Sequence, residues 1–112
     1  CVTRVKSMWE EKPQLAKKID LQMAESVSCG EQALRSNQNL GMNFLINSMN
    51  LAADCFKQWG LSEGAVEHHI LQLRSLGTLA TKPTGSGGGG YVLSLWKEQP
   101  PQDPRFTFIS CF

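Results

Sequence analysis

The first third of the chain carries apolar residues at helical spacing, and this pattern predicts two helices. The first helix is expected from about Val2 to Glu10. Pro13 ends it and fits the first turn of the second, which continues to about Ser36 with a bend allowed at Gly30. The apolar line expected on the second helix consists of Leu15, Ile19, Met23, Val27 and Leu34.

The middle of the chain predicts two more helices after a polar connection at 36–39. Gly60 is expected to end the third helix, and Ser62 to act as the N-cap of the fourth. Gly77 suits a left-handed C-cap. The expected apolar face of the third helix is Leu45, Met49, Ala52, Phe56 and Trp59, and that of the fourth is Val66, Ile70 and Leu73.

Beyond Gly77 the apolar period changes from helical to alternating. Residues 79–83 form a short extended segment, 91–96 a strand rich in β-formers, and 106–112 a final strand after the exposed loop 97–104. Helices followed by hairpin-connected strands predict an α+β domain spanning residues 1–112, with a small, mainly antiparallel sheet and helices packed on one face.

Composition excludes several classes of protein. The apolar fraction of 41% and charged fraction of 19% are ordinary for a globular domain, and a net charge of +1 disfavours a nucleic-acid surface. No stretch has the apolar length of a membrane span. The four cysteines form no CxxC pair, which disfavours zinc, and buried thiols in a reducing, cytoplasmic compartment are expected at Cys1, Cys29, Cys55 and Cys111.

The chain opens inside a helical pattern without an initiating Met, so we expect it to be the C-terminal part of a longer protein. Two other features receive structural interpretations. His68 and His69 are about 100° apart on a helix and are expected at the surface or partly buried, not on one metal. Asp54 and Glu63 lack a paired carboxylate for general-base chemistry.

Residues 82–90, KPTGSGGGG, are either a flexible linker or a loop that wraps an anion. The 22 residues after Gly90 are too few for an independent core, which argues against a linker, although an engineered replacement of a natural loop stays open. Glycines admit close backbone approach, and successive N–H groups can surround one anion. The glycines lead into a strand, unlike the Walker A and dinucleotide loops, and a plain hairpin loop is an equally good interpretation of composition alone.

KPTGSGGGG resembles the third motif of the GHMP kinases, K-L-T-G-A-G-G-G-G, in sequence and in its position after a helix and before a strand. The stretch SMNLAADCFKQWGLS at 48–62 is similar to the L-M-N-x-N-Q-x-L-L-x-x-L-G-V-S stretch of mevalonate kinases, with Met49, Asn50, Gly60 and Ser62 matching. The resemblance covers residues 40–97. The chain differs at Pro83, Ser86 and Tyr91, where the family has leucine, alanine and cysteine, and Ser86 matches a position near the acceptor substrate.

The resemblance implies the C-terminal, ferredoxin-like domain of a kinase that transfers the γ-phosphoryl group of Mg-ATP to the hydroxyl of a small alcohol, here mevalonate. It places ATP, Mg²⁺ and the catalytic residues mainly on an N-terminal lobe absent from this chain, and it allows a homodimer. No catalytic or metal-binding residue is assigned here. The implied phosphate- and substrate-binding residues are Lys82, Thr84, Gly85, Ser86, Gly87, Gly88, Gly89 and Gly90.

Two alternatives stay open. A sibling GHMP kinase would act on phosphomevalonate, galactose or another alcohol. A non-catalytic ligand-binding or interaction module would reuse the same fold. An upstream P-x-x-x-G-L-x-S-S-A stretch with an Asp/Lys pair would favour a kinase.

Overall fold

A computed structural model describes residues 2–61, 63–84 and 91–109 of the chain. It confirms the α+β class, with four helices and two antiparallel strands in these ranges. The helices are α1 (Val2–Glu11), α2 (Pro13–Arg35), α3 (Gln38–Gln58) and α4 (Ala65–Ser75), and the strands are β1 (Ala80–Pro83) and β2 (Val92–Leu95).

Helices α2 and α3 form a close antiparallel pair. The Ser26 hydroxyl donates to the Ser48 carbonyl at 2.7 Å, and the Ser48 hydroxyl donates to the Ser26 carbonyl at 2.7 Å. A Cβ added to Gly30 would lie 3.2 Å from Ser48 Oγ, so the glycine lets the helices approach. Helix α2 passes through Gly30 without interruption, as the apolar pattern predicts.

The predicted buried line on α2 is confirmed at Ile19 but wrong at both ends. Leu15, Val27 and Leu34 are exposed, by 36%, 66% and 90%. The other buried residues of α2 are Ala16 and Ser26. Small side chains occupy the contact because α3 lies so close, and the larger Val27 and Leu34 therefore lie outside it.

The connection between α2 and α3 is shorter than the predicted 36–39. The Asn37 side chain accepts a hydrogen bond from the Leu40 amide at 3.0 Å and caps α3, which therefore begins at Gln38. Gly60, with φ of +72°, follows the end of α3 as predicted. Its carbonyl accepts from Arg4 Nη1, and this hydrogen bond ties α1 to the end of α3.

Helix α4 differs from its prediction at the N-terminus only. The N-cap position is Gly64, with φ of +69° and no side-chain cap, so the N-cap predicted at Ser62 is wrong. Ser62 itself lies outside the described residues. The predicted stripe of Val66, Ile70 and Leu73 is buried, and Gly77 takes φ of +99° immediately after the C-cap.

Strands β1 and β2 pair antiparallel, with Ala80 opposite Leu95 and Pro83 opposite Val92. Helix α3 packs on β1, and α4 contacts both strands. The predicted final strand is wrong over residues 106–109, which have no strand structure, while residues 110–112 lie outside the described ranges.

Aromatic packing explains why residues 106–109 pair with no strand. The Phe106 ring stacks on His69 of α4 with centroids 5.0 Å apart. The Phe108 ring meets Trp96 edge-on at 5.8 Å. A turn at Asp103, whose carbonyl accepts from the Phe106 amide at 3.1 Å, directs the segment onto these rings. Packing against α4 and Trp96 replaces ladder hydrogen bonds here.

Candidate functional site

The glycine-rich segment joins β1 to β2, as its sequence context predicts. Residues 85–90 lie outside the described part of the chain, so Gly85, Ser86 and the four glycines that follow stay predictions. The structure describes the residues on both sides. The last ladder pair is Pro83 with Val92, and Thr84 and Tyr91 stand between this pair and the segment.

Thr84 closes the end of the strand pair with its side chain. Its Oγ1 donates a hydrogen bond to the Tyr91 carbonyl oxygen at 2.7 Å. Thr84 is half-buried, whereas Tyr91 is exposed. This hydroxyl therefore has a partner within the chain, on the opposite side of the glycine segment.

Lys82 lies on β1 opposite Leu93, and its ammonium is directed towards α3. The Nζ atom stands 5.5 Å from the centroid of the Phe56 ring and donates to the Pro83 carbonyl at 3.2 Å. A cation over an aromatic face is stabilised by the negative charge of the π system. This contact holds a positive charge at the face of β1 that packs against α3, two residues before Thr84.

The opposite end of the strand pair has a similar threonine contact. Thr78 Oγ1 lies 2.9 Å from the carbonyl oxygens of both Ala80 and Leu95. The Leu79 amide donates to the same Leu95 carbonyl at 2.8 Å. Between the two ends, the Thr81 hydroxyl is buried and has no hydrogen-bond partner in the described ranges.

A cleft of about 1300 Å³ lies elsewhere on β2. It is lined by Leu45 and Met49 of α3, by residues 93–96 and 98–104, and by Phe106, Phe108 and Ile109. Neither Lys82 nor Thr84 lines it. The Trp96 indole N–H donates to Ser94 Oγ at 2.9 Å on its wall.

Asp103 at the rim of this cleft is held as a carboxylate. Hydrogen bonds from the Arg105 side chain and amide, together with its positive charge, lower the pKa of the Asp103 carboxyl to about 2. The same ion pair raises the pKa of Arg105. The closest contact joins Arg105 Nη2 to Asp103 Oδ2 at 2.8 Å, which stabilises the turn that directs Phe106 onto α4.

A polar cluster lies on the outside of the α2–α3 pair. Asp54 Oδ2 accepts from Gln22 Nε2 at 2.9 Å and from Gln58 Nε2 at 2.7 Å. These hydrogen bonds join Asp54 to side chains of both helices. A second cleft of about 480 Å³ lies beside it.

Of the cysteines in the described ranges, Cys55 is buried as predicted, whereas Cys29 is not fully buried. Cys29 is a half-buried free thiol and Cys55 a buried one, whose Sγ donates to the Ile19 carbonyl at 3.6 Å. Burial raises the pKa of the Cys55 thiol, and the negative charges of Asp54 and Asp20 raise it further. A protonated thiol is a poor nucleophile. Cys1 and Cys111 lie outside the described ranges.

The two histidines are adjacent residues of α4. His68 is exposed and His69 is partly buried against Phe106, as predicted. Within residues 2–61, 63–84 and 91–109, no group of three or more His, Cys, Asp or Glu side chains could hold a metal ion. In the same ranges no helix has the length and apolar character needed to cross a membrane.

No family model, curated protein or solved structure matches the chain. Of the eight predicted binding residues, the structure describes two, Lys82 and Thr84. Both lie just before the glycine segment in the chain. Sequence reasoning missed the partners of these residues, Phe56 and the Tyr91 carbonyl. The sequence signal for the Tyr91 contact was the presence of threonine on each side of β1, at Thr78 and Thr84.

Proposed function

We propose that this chain is the C-terminal lobe of a GHMP-type kinase that phosphorylates the hydroxyl of a small alcohol. Mevalonate is the proposed acceptor, converted to 5-phosphomevalonate for isoprenoid precursor synthesis in the cytoplasm. The fold proposed for the lobe is the ferredoxin-like GHMP domain, in which β1 and β2 belong to an antiparallel sheet with helices on one face.

The observation that carries the proposal is the position of KPTGSGGGG, which begins in β1 at Lys82 and continues into the connection to the antiparallel strand β2. The Lys82 ammonium lies over the Phe56 ring of α3, and the Thr84 hydroxyl donates to the Tyr91 carbonyl. The glycines follow Thr84 directly in the sequence. A strand–glycine–strand arrangement after a helix is also the context in which the family motif occurs. The sequence motif and its structural context therefore both support the proposal, whereas glycine composition alone did not distinguish a binding loop from a plain hairpin loop.

The chemistry proposed for this segment is binding. Phosphoryl transfer depends mainly on positioning the donor and acceptor and on stabilising charge on the transferred group. Backbone N–H groups of residues 85–90 would donate to phosphate oxygens, because glycine has no Cβ to keep a ligand away. Lys82 would add positive potential from its place over Phe56. Its charge acts over a distance and requires no direct phosphate contact.

In this proposal ATP and Mg²⁺ bind mainly to a separate N-terminal lobe, and this chain packs against that lobe as its partner. We therefore expect no kinase activity from the 112-residue chain alone. Robust phosphoryl transfer by the purified chain would contradict this division of roles.

The test is a coupled ADP-release assay on the protein encoded by the complete native gene, with mevalonate, phosphomevalonate and galactose as acceptors. We expect turnover with mevalonate. Gly87→Val should lower kcat by about a hundredfold or more, because a side chain would displace the reacting groups. Leu34→Val is the matched control, since Leu34 is 90% exposed on α2, and it should leave kcat unchanged.

The other outcomes decide between the alternatives. Activity on galactose or phosphomevalonate without activity on mevalonate would assign a sibling kinase. Ligand binding without turnover of any alcohol would favour a non-catalytic module. Unchanged turnover in Gly87→Val would contradict the proposed binding role of the glycine segment.

A further inference from the structure

The cleft beside β2 has apolar walls that the described residues leave open. Its volume of about 1300 Å³ is sufficient for a drug-sized ligand. On its wall Leu93 is 36% exposed and Ile109 is 67% exposed. The half-buried rings of Trp96 and Phe108 also line the cleft, and they meet edge-on with centroids 5.8 Å apart. The cleft therefore offers an aromatic surface on which the ring of a ligand can pack.

The segment 98–106 gives another wall of the cleft a regular shape. Every third residue of this segment, Pro100, Asp103 and Phe106, is half-buried, and the residues between them are exposed. A polyproline II helix has this period of three. Three of the nine residues are prolines, which fix their own φ and restrict the residue before each of them to extended conformations. The backbone of this wall therefore has little freedom to lose when a ligand binds.

The end of this wall is held in place by contacts on both sides of Phe106. The His69 ring stacks on Phe106 with centroids 5.0 Å apart, and Arg105 Cζ lies 5.4 Å from the Phe106 centroid. Arg105 in turn donates to both carboxylate oxygens of Asp103, at 3.0 Å and 2.8 Å. A wall that is already ordered lowers the entropic cost of binding.

The charge at the rim of the cleft is negative. Among the described residues that line the cleft, the charged ones are Glu98 and Asp103. Arg105 occupies both oxygens of Asp103, so that carboxylate is neutralised within the chain. Glu98 is exposed, and within the described ranges its carboxylate forms no ion pair. The uncompensated carboxylate at the rim favours a positively charged ligand and disfavours a negatively charged one.

We propose that this cleft binds a small aromatic amine, with the aromatic group packed on Trp96 and Phe108 and the protonated amine beside Glu98. The faces of the two rings add to the attraction for a cation, since an aromatic face carries negative charge. The site goes beyond the proposed function, because it requires neither a phosphoryl donor nor the glycine segment. Its ligand class follows from the described residues alone.

The experiment uses three probes that share a naphthalene ring and differ in charge. Naphthylmethylamine is positively charged at neutral pH, naphthylmethanol is neutral and naphthoate is negatively charged. Each is titrated into the ¹⁵N-labelled 112-residue chain, and the tryptophan indole N–H resonances are followed by NMR. The Trp96 indole reports on the cleft, whereas Trp9 and Trp59 do not line it and serve as internal controls.

We expect naphthylmethylamine to shift the Trp96 indole resonance and to leave the Trp9 and Trp59 resonances in place. It should bind about tenfold more tightly than naphthoate, since it gains the attraction to Glu98 and to the aromatic faces. Naphthylmethanol should have an intermediate affinity. The order of the three affinities separates the proposed charge preference from simple apolar binding.

Two variants test the two parts of the site. Glu98→Gln should reduce the preference for the amine over the acid to about threefold, because it removes the rim charge. Glu10→Gln is the matched control, since Glu10 is an exposed glutamate on α1 that does not line the cleft, and it should keep the wild-type preference. Phe108→Leu keeps an apolar side chain without the ring and should weaken all three probes about threefold. An unchanged far-ultraviolet circular dichroism spectrum should show that each variant is folded.

Several results would overturn this inference. They are an unshifted Trp96 indole with all three probes, equal shifts at the three tryptophans, and naphthoate binding as tightly as the amine. An unchanged charge preference in folded Glu98→Gln would reject the role of the rim carboxylate, and unchanged affinity in folded Phe108→Leu would reject the aromatic wall. None of these measurements depends on kinase activity, so the kinase proposal and this inference can fail separately.

Discussion

The helical pair α2–α3 and the strand pair β1–β2 are both antiparallel, but they are held together differently. Small residues and reciprocal serine hydrogen bonds join the helices along their length, and only Ser36 and Asn37 connect them. The strands have threonine contacts at their ends and a long glycine-rich connection. The helical pair is built for close packing, whereas the strand pair holds two backbone segments on either side of residues 85–90.

Glycine has a different role in each pair. In the helical pair it allows close approach: a Cβ on Gly41 would lie 2.8 Å from the Ala33 carbonyl, and that contact would force a backbone shift. Between the strands, six consecutive residues contain five glycines, a composition that helical packing does not require. The first set therefore has a structural role in helix packing, and the role of the second set stays a prediction.

The largest expected effect comes from opening the core of the helical pair. Ile19 is 0% exposed, so Ile19→Ala should lower the free energy of unfolding by about 3 kcal/mol through lost burial and a residual cavity. Urea denaturation of the 112-residue chain measures it. Leu34→Ala on the same helix is the control and should change stability by less than about 0.5 kcal/mol. Equal losses in the two variants would contradict the buried face described for α2.

A smaller effect is expected from the serine contact between the helices. Ser26→Ala removes the hydroxyl donor to the Ser48 carbonyl and should cost about 1.5 kcal/mol, since the carbonyl is left without that partner. Ser48→Ala should cost a similar amount through the Ser26 carbonyl. The two hydroxyls lie 3.4 Å apart, so a double-mutant cycle should give a coupling of about 0.5 kcal/mol or more. Strict additivity would show that the two bonds act independently.

The sequence predicted the existence and order of these elements better than their contacts. Helical and alternating periods located all four helices and both strands, because each period reflects local geometry. The buried face of α2 was missed because Ser26 and Gly30 become contact residues only when α3 packs against them. Residues 106–109 have a strand-like pattern, but the Phe106 ring packs on His69 and the Phe108 ring packs on Trp96.

The candidate site shows the same division. Its motif and position could be predicted because they depend on residue types and order. The orientation of the Lys82 side chain could not be predicted, because a strand residue can point to either face of the sheet. Only the position of Phe56 on α3 shows which face Lys82 occupies. The Thr84 contact could not be predicted either, because it requires the register that places Pro83 opposite Val92.

The smallest expected effect sharpens the comparison within the strand pair. Thr81 is 2% exposed and its hydroxyl has no partner in the described ranges, so Thr81→Val should raise the free energy of unfolding by about 1 kcal/mol. Thr78→Val, which removes a hydroxyl that contacts two carbonyls, should lower it by about 1 kcal/mol. Both are measured by urea denaturation. A loss of stability in Thr81→Val would show that its hydroxyl has a partner in the folded chain, and the strand pair would then be fully satisfied, like the serine contact between the helices.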